Sequence, residues 1–292
     1  MAKVDYLQRY LLIYNKLINQ KQSLEQLFKY LNNQSDSVFH VSERTIQRDI
    51  KELGLFFNVV IVFNRKEKYY ELDETDIDES KRRTIESFEL YNSLQYSSKI
   101  GNKIILENRN RSGVELIHGI LHAIENKLEI CFNHQSYWKE KTFRTVQPIS
   151  IKEIQQRWYL ICYDVAKKEI RNFSLDRILD LKITDQRFTP KKFDATKFYE
   201  SAFGIETYNP AEKIVLRFTN FQAQYIKSLP IHHSQKIIAE DDNHTHFEYF
   251  MHPTHDLVME ILKYSDTVKV LQPDSLRETV KTKIENTLGL YQ

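Results

Sequence analysis

Six consecutive aromatic and aliphatic residues, Trp158-Tyr159-Leu160-Ile161-Cys162-Tyr163, constrain this chain more than any other stretch, because such a run is stable only as a strand packed into a core. Asp164 to Lys168 then supply a polar break, and the apolar pattern resumes at Ile170, so the segment predicts a β-hairpin. On the returning strand side chains alternate, which puts Arg171, Phe173, Leu175 and Arg177 on one face and Asn172, Ser174 and Asp176 on the other. Two planar, permanently charged guanidiniums on one apolar face suit a phosphate or carboxylate ligand. The same spacing also suits ion pairs with Asp176, Asp180 or a neighbouring acid, and periodicity does not choose between the two.

The 292 residues have room for two or three domains, and 41% hydrophobic with 12% aromatic content is ample for packed cores. A net charge of +2 means that any nucleic-acid surface is a local patch. The two cysteines, Cys131 and Cys162, each fall inside an expected strand, which argues against a disulfide framework and fits a reducing cytoplasm. The N-terminus lacks an apolar signal core and no stretch reaches the length of a membrane span, so a soluble cytoplasmic protein without a membrane partner is expected. With only 6 glycines and 6 prolines, domain joints are expected to be helices or short loops.

At the N-terminus, Val4, Leu7, Leu11, Tyr14, Leu17 and Ile18 keep helical spacing, and a second helix follows a Ser23 cap with Leu24, Leu27, Phe28 and Leu31 inward. The polar stretch Asn32 to Asp36 ends it. A third helix begins at a Ser42 cap and buries Ile46, Ile50 and Leu53, ending before Gly54. Its outer face carries Arg44, Thr45, Gln47, Arg48 and Lys51, side chains that reach base edges or phosphate oxygens in a major groove. Val59 to Phe63 and Tyr69 to Leu72 then form a hairpin, or wing, whose tip bears Arg65, Lys66 and Lys68. Eleven basic against eight acidic residues over positions 1–72 make this module +3. Ser42, Arg44, Thr45, Gln47, Arg48, Lys51, Arg65, Lys66 and Lys68 are therefore the expected DNA-contact set; the plainer reading is a solvated amphipathic helix.

A connecting helix is expected between Asp76 and Ser98, with Ile77, Ile85, Phe88, Leu90, Tyr91 and Leu94 as its apolar positions and Lys81-Arg82-Arg83 near its start. After a polar, glycine-punctuated turn, a further helix turns Leu116, Ile120, Leu121 and Ile124 inward. From Tyr208 to Gln292 the order βαββαβ predicts a ferredoxin-like α/β sandwich. Six of its residues are histidines: His232, His233, His244, His246, His252 and His255. No cysteine or carboxylate set accompanies them at zinc-like spacing, so no metal site and no cofactor is expected.

The stretch Val114 to Phe188 resembles the WYL domain of bacterial transcriptional regulators, at Trp158-Tyr159-Leu160, at Pro148, and at Arg171-x-Phe173-x-Leu175-Asp176-Arg177-Ile178. The resemblance implies a small SH3-like or Sm-like β-barrel that senses nucleotide or nucleic-acid-like anions in a basic, aromatic-rimmed pocket. Phe132, His134, Tyr159, Arg171 and Arg177 are the ligand-binding residues it implies. Phe132 stands where the family usually has a tyrosine, so the ligand need not be the same. The string from Ser42 to Leu53 resembles the recognition helix of winged helix-turn-helix repressors. The region after Ser234 resembles the C-terminal extension that follows WYL domains, with a role in dimerisation and sometimes in ligand contact.

The resulting expectation is an α+β multi-domain chain: a winged helix-turn-helix at 1–75, a helical connector at 76–113, a WYL sensor at 114–192 and a C-terminal extension at 205–292. Its expected function is that of a homodimeric, sequence-specific repressor that binds a pseudo-palindromic double-stranded operator and responds to an anionic ligand. It is similar to regulators associated with phage-defence operons. Two alternatives are a sequence-blind nucleic-acid-binding protein and an enzyme acting on a phosphorylated substrate. The second lacks a glycine-rich phosphate loop, a metalloprotease motif or a nucleophile elbow, so the chain is not expected to be an enzyme.

Overall fold

The computed structural model describes residues 2–33, 41–73, 75, 77–99, 103–105 and 113–292, which divide into two compact units, Met1–Asn108 and Arg109–Gln292. The first contains α1 (Ala2–Asn19), β1 (Gln22–Ser23), α2 (Leu24–Asn32), α3 (Glu43–Phe57), β2 (Ile61–Asn64), β3 (Tyr69–Leu72) and α4 (Glu79–Lys99). Ile13, Leu17, Leu27, Leu31, Ile46, Leu53 and Ile85 close one core between the helices. Ser23 caps α2 in a reciprocal box with Gln26, and Ser42 caps α3 by accepting from the Thr45 amide at 3.2 Å. The third helix does not stop before Gly54 as expected. Gly54 lets the Val59 carbonyl approach to 3.1 Å of where a Cβ would be, and the helix runs on to Asn58, which closes it in the left-handed region at φ 52°. Phe56 and Phe57 thereby reach Phe88 of α4, so the connecting helix packs on the N-terminal core through Ile85 and Phe88. Leu90 and Tyr91, two of the apolar positions expected on this helix, are exposed. Most of the polar stretch after α2 and of the glycine-punctuated turn lies outside the described residues.

The second unit begins with a 3₁₀ turn at Val114–Leu116 and α5 (Ile117–Asn126), where Ile120 and Ala123 turn inward while Leu121, expected to be buried, is exposed. It continues through β4 (Leu128–His134), β5 (Thr142–Ile154), β6 (Arg157–Asp164), β7 (Glu169–Ser174), a 3₁₀ turn at Leu175–Arg177 and β8 (Ile178–Arg187). These five strands are antiparallel in the order β7-β6-β5-β4-β8. No ladder joins β7 to β8, so the expected barrel is an open, five-stranded sheet. The turn also corrects the expected alternation: the strand ends at Ser174, Leu175 drops into the core at 1% exposure, and Arg177 leaves the strand register. The predicted hairpin break at Asp164 holds, because the Asp164 side chain and carbonyl accept from the amides of Lys167 and Lys168.

The chain then crosses the outer face of β6 and β7 with α6 (Ala195–Phe198), where Tyr199 and Ala202 cover Ile161. It continues as β9 (Glu212–Thr219), α7 (Asn220–Ser228), β10 (Lys236–Glu240), β11 (His244–Met251), α8 (His255–Lys263), β12 (Val268–Gln272) and α9 (Asp274–Gly289). These strands form an antiparallel sheet in the order β10-β11-β9-β12, and all three long helices contribute to one core with Ile214, Phe218, Phe247 and Tyr249. The architecture is a mixture of helices and antiparallel sheets throughout, and no helix among the described residues is long and apolar enough to cross a membrane.

Gly204 joins the crossing segment to α8: its φ is 129°, and a Cβ there would overlap the Asp256 carboxylate that accepts from the Ile205 amide at 3.0 Å. Gly204→Ala is expected to destabilise the second unit by about 3 kcal/mol, from backbone strain and overpacking together. Chemical denaturation followed by tryptophan fluorescence checks this; a midpoint equal to that of the wild type refutes the packing role.

Candidate functional site

In the first unit the expected DNA-contact residues lie on two adjoining elements. The Ser42 hydroxyl is engaged as the helix cap and lies 3.0 Å from the Thr45 hydroxyl, so these two side chains shape the start of α3 more than they extend from it. Arg44, Gln47, Arg48 and Lys51 are exposed beyond them. Arg48 is 62% exposed and only loosely held, 3.8 Å from both Asp49 and Glu52. Gln47 lines one groove with Tyr70 of the β2–β3 hairpin. The hairpin tip is set by Asn64, whose side-chain oxygen accepts from the amides of Lys66 at 3.0 Å and Glu67 at 3.1 Å. Lys68 takes a left-handed φ of 56°, and Arg65, Lys66 and Lys68 all face solvent. The acid among them, Glu67, pairs with Lys21 at 3.4 Å.

The second unit concentrates positive charge at one end of its sheet. His134 ends β4, and its imidazole is held below the ordinary histidine range by burial first, then by Arg177, Arg144 and Arg171. Phe173 meets the His134 ring edge-on at 5.0 Å and the Phe132 ring at 5.3 Å. The Arg171 guanidinium lies 5.9 Å from the Phe173 ring centre, with Glu169 3.6 Å away. Arg177 stacks 5.1 Å over Tyr137, and Arg144 on β5 reaches the wholly buried Asp164 at 3.3 Å. The Nε–H groups of both Arg144 and Arg177 are buried without an acceptor. Buried donors are almost always satisfied, and charged ones are the costliest to leave open, so these two Nε–H groups are exceptional for a packed sheet.

The structure thus brings together three of the five residues expected to bind ligand: His134, Arg171 and Arg177. Phe132 is not on the surface of the site; it is fully buried behind Phe173. Tyr159 pairs with Ser174 while Leu160 pairs with Phe173, which puts Tyr159 on the opposite face of the sheet. There it lines a cleft of about 390 Å³ with Arg157, Asp256 and Glu260, and burial raises its phenol pKa. Sequence reasoning missed Arg144 and Tyr137. Arg144 enters only through the pairing Phe132↔Arg144, a register that spacing along the chain does not show.

Among the described residues, no group of three or more histidine, cysteine, aspartate or glutamate side chains is placed to hold a metal ion. His232 is bound to Ser234 and the Glu200 carbonyl, and His252 to the Asn209 carbonyl. Cys131 and Cys162 are free thiols.

Comparison with known proteins bears directly on these elements. The WYL domain matches residues 115–183, the sheet that carries His134, Arg144, Arg171 and Arg177, and the WCX domain matches residues 210–288, from the start of β9 into α9. The chain thus carries a WYL domain followed by a WCX domain, and in this it is similar to the WYL-domain transcriptional regulators. A similar curated protein is an uncharacterized HTH-type transcriptional regulator, YobV, of Bacillus subtilis (strain 168), 23% identical over 172 residues. That match covers 58% of this WYL protein and 54% of the relative, so the chain spans about half the length of the curated relative it matches. Among solved structures it is similar to proteasome accessory factor B/C (PafBC) of Arthrobacter aurescens, at 18% identity and TM-score 0.38, covering 95% of this chain and 46% of that one. It is also similar to a CRISPR Cas-related protein, at 15% identity and TM-score 0.40, covering 98% and 84%.

His134 gives the WYL site a signed pH dependence. Its pKa is lowered in the free protein, so the ring is neutral at pH 7; an oxyanion beside it raises that pKa, and binding takes up a proton. Affinity for pyrophosphate is therefore expected to rise as pH falls from about 7.5 to about 5.5, once corrected for the anion's own titration, and His134→Gln is expected to flatten the slope. Calorimetric titration across that range decides it; a slope unchanged by the substitution removes His134 from the site.

Proposed function

We propose that this chain is a DNA-binding transcriptional regulator, a homodimer acting as a repressor, whose WYL portion senses a nucleotide or nucleic-acid-like oxyanion. The observation that carries the reading is the pair of buried, acceptorless guanidinium N–H groups beside a neutral histidine, at one end of a sheet that matches the WYL domain. In this reading the five-stranded sheet is an SH3-like or Sm-like barrel left open between β7 and β8, and the C-terminal strands with α7 and α8 form a ferredoxin-like unit. The α1–α3 helices with the β2–β3 hairpin act as a winged helix-turn-helix. Arg44, Gln47, Arg48 and Lys51 read the major groove while Arg65, Lys66 and Lys68 bind phosphates, and Ser42 and Thr45 shape the helix start. Two such modules in a two-fold dimer match pseudo-palindromic half-sites. The anion alters operator affinity only to the extent that it binds the DNA-bound and DNA-free forms unequally.

Arg48→Ala is expected to weaken operator binding by about 1–3 kcal/mol if the side chain reads a base edge. Genomic footprinting first defines the operator, and gel-shift titration of the folded variant then measures the loss. Binding equal to wild type rejects α3 as the reading helix, and protection spread without sequence preference favours a sequence-blind binder. Replacing both Arg171 and Arg177 with alanine is expected to abolish the response of DNA binding to nucleotides and short oligonucleotides while leaving basal DNA binding intact. A double variant that still responds places the sensor elsewhere.

A further inference from the structure

A second cationic feature lies on the other face of the WYL sheet and is unused by the function above. Lys152 of β5 pairs in register with Tyr159, while its neighbour Ile151 pairs with Leu160, so Lys152 faces away from Phe173 and the arginine group. Its ammonium is half-buried, 5.7 Å from the centre of the Tyr199 ring. Among the described residues it has no carboxylate partner, and burial alone lowers its pKa. The titratable neighbour across from it is His232, another base, which burial and the adjacent His233 hold at about 4 and hence neutral at pH 7. Lys152 adjoins a cavity of about 230 Å³ lined also by Ser150, Ile161, Thr196 and Tyr199.

A partly desolvated ammonium with no counter-charge is a cost that proteins normally offset with an anion. The cavity has room for roughly seven water-sized volumes at ~30 Å³ each, too few for a nucleotide. It offers one positive charge, hydroxyl-bearing side chains and an aliphatic wall. We propose that this cavity is a second ligand site, separate from the arginine group, that takes a small aliphatic carboxylate. The carboxylate pairs with Lys152, and its short apolar tail lies against Ile161. A phosphate is matched less well, because it brings more charge than one ammonium balances and has no apolar part to place on that wall.

The test is a titration of the full chain, labelled with ¹³C at the lysine side-chain ε carbon, with acetate, propionate and butyrate at constant ionic strength, inorganic phosphate being the comparison. Lys152→Arg assigns the resonance. The Lys152 signal is expected to shift saturably, with affinity rising several-fold from acetate to butyrate. The shift is expected to persist when Arg171 and Arg177 are both replaced by alanine, which separates this site from the proposed sensor. Lys152→Met, with amide dispersion confirming the fold, is expected to abolish binding as read by calorimetry. A Lys152 signal that moves linearly or not at all overturns the proposal, as does phosphate binding as tightly as butyrate, or loss of the response in the arginine double variant.

Discussion

The buried carboxylate of Asp164 is the interaction on which the five-stranded sheet of the second unit depends. It ends β6, accepts from the Lys167 amide to shape the hairpin, and at 0% exposure accepts from Arg144 at 3.3 Å. A charge so placed is tolerable only with partners on several sides, so one side chain ties the turn, the β5–β6 ladder and the arginine group to a single geometry. The first unit uses the same device. Asp49 of α3, also wholly buried, accepts from Arg9 of α1 at 2.7 and 3.2 Å, which fixes the basic face of α3 against the rest of its module. In both units the pair orients an element whose outer surface carries exposed cations.

Around Asp164 the balance of charge is uneven. Asp164 meets Arg144 and Glu169 lies near Arg171, while Asp176 pairs with Arg157 at 3.6 Å and not with Arg177. His134 stays neutral because burial first, and then the three arginines around it, disfavour its cation. Acids hold Arg144 and Arg171, an aromatic ring holds Arg177, and the Nε–H groups of Arg144 and Arg177 have no acceptor. Arg171 keeps an ion pair with Glu169, as the plainer reading expects, while Arg177 is stacked on Tyr137.

Local chemistry made much of this legible in advance. The capping serines Ser23 and Ser42, the Asp164 turn and the βαββαβ succession follow from residue type and spacing, because they rest on interactions a few residues apart. The misjudged positions turn on contacts that residue type and spacing do not show. Gly54 reads as a helix stop until the Val59 carbonyl is seen to need its missing side chain. Leu121 and Leu90 keep helical spacing yet face solvent, since a period does not say which side meets the core. Tyr159 and Arg171 sit on strands of one hairpin, but strand register puts them on opposite faces.

The sequence by itself determined most of the elements, their order, the WYL motif, and the candidacy of Arg171 and Arg177, since propensity, capping, turn chemistry and motif are all properties of short stretches. Tertiary structure alone decided that Arg144 joins those arginines, that Phe132 stands behind the site, that the sheet stays open after Ser174, and that Lys152 faces a cavity without an acid. Each depends on strand register and on burial, which arise only when residues far apart in the chain compete for the same interior.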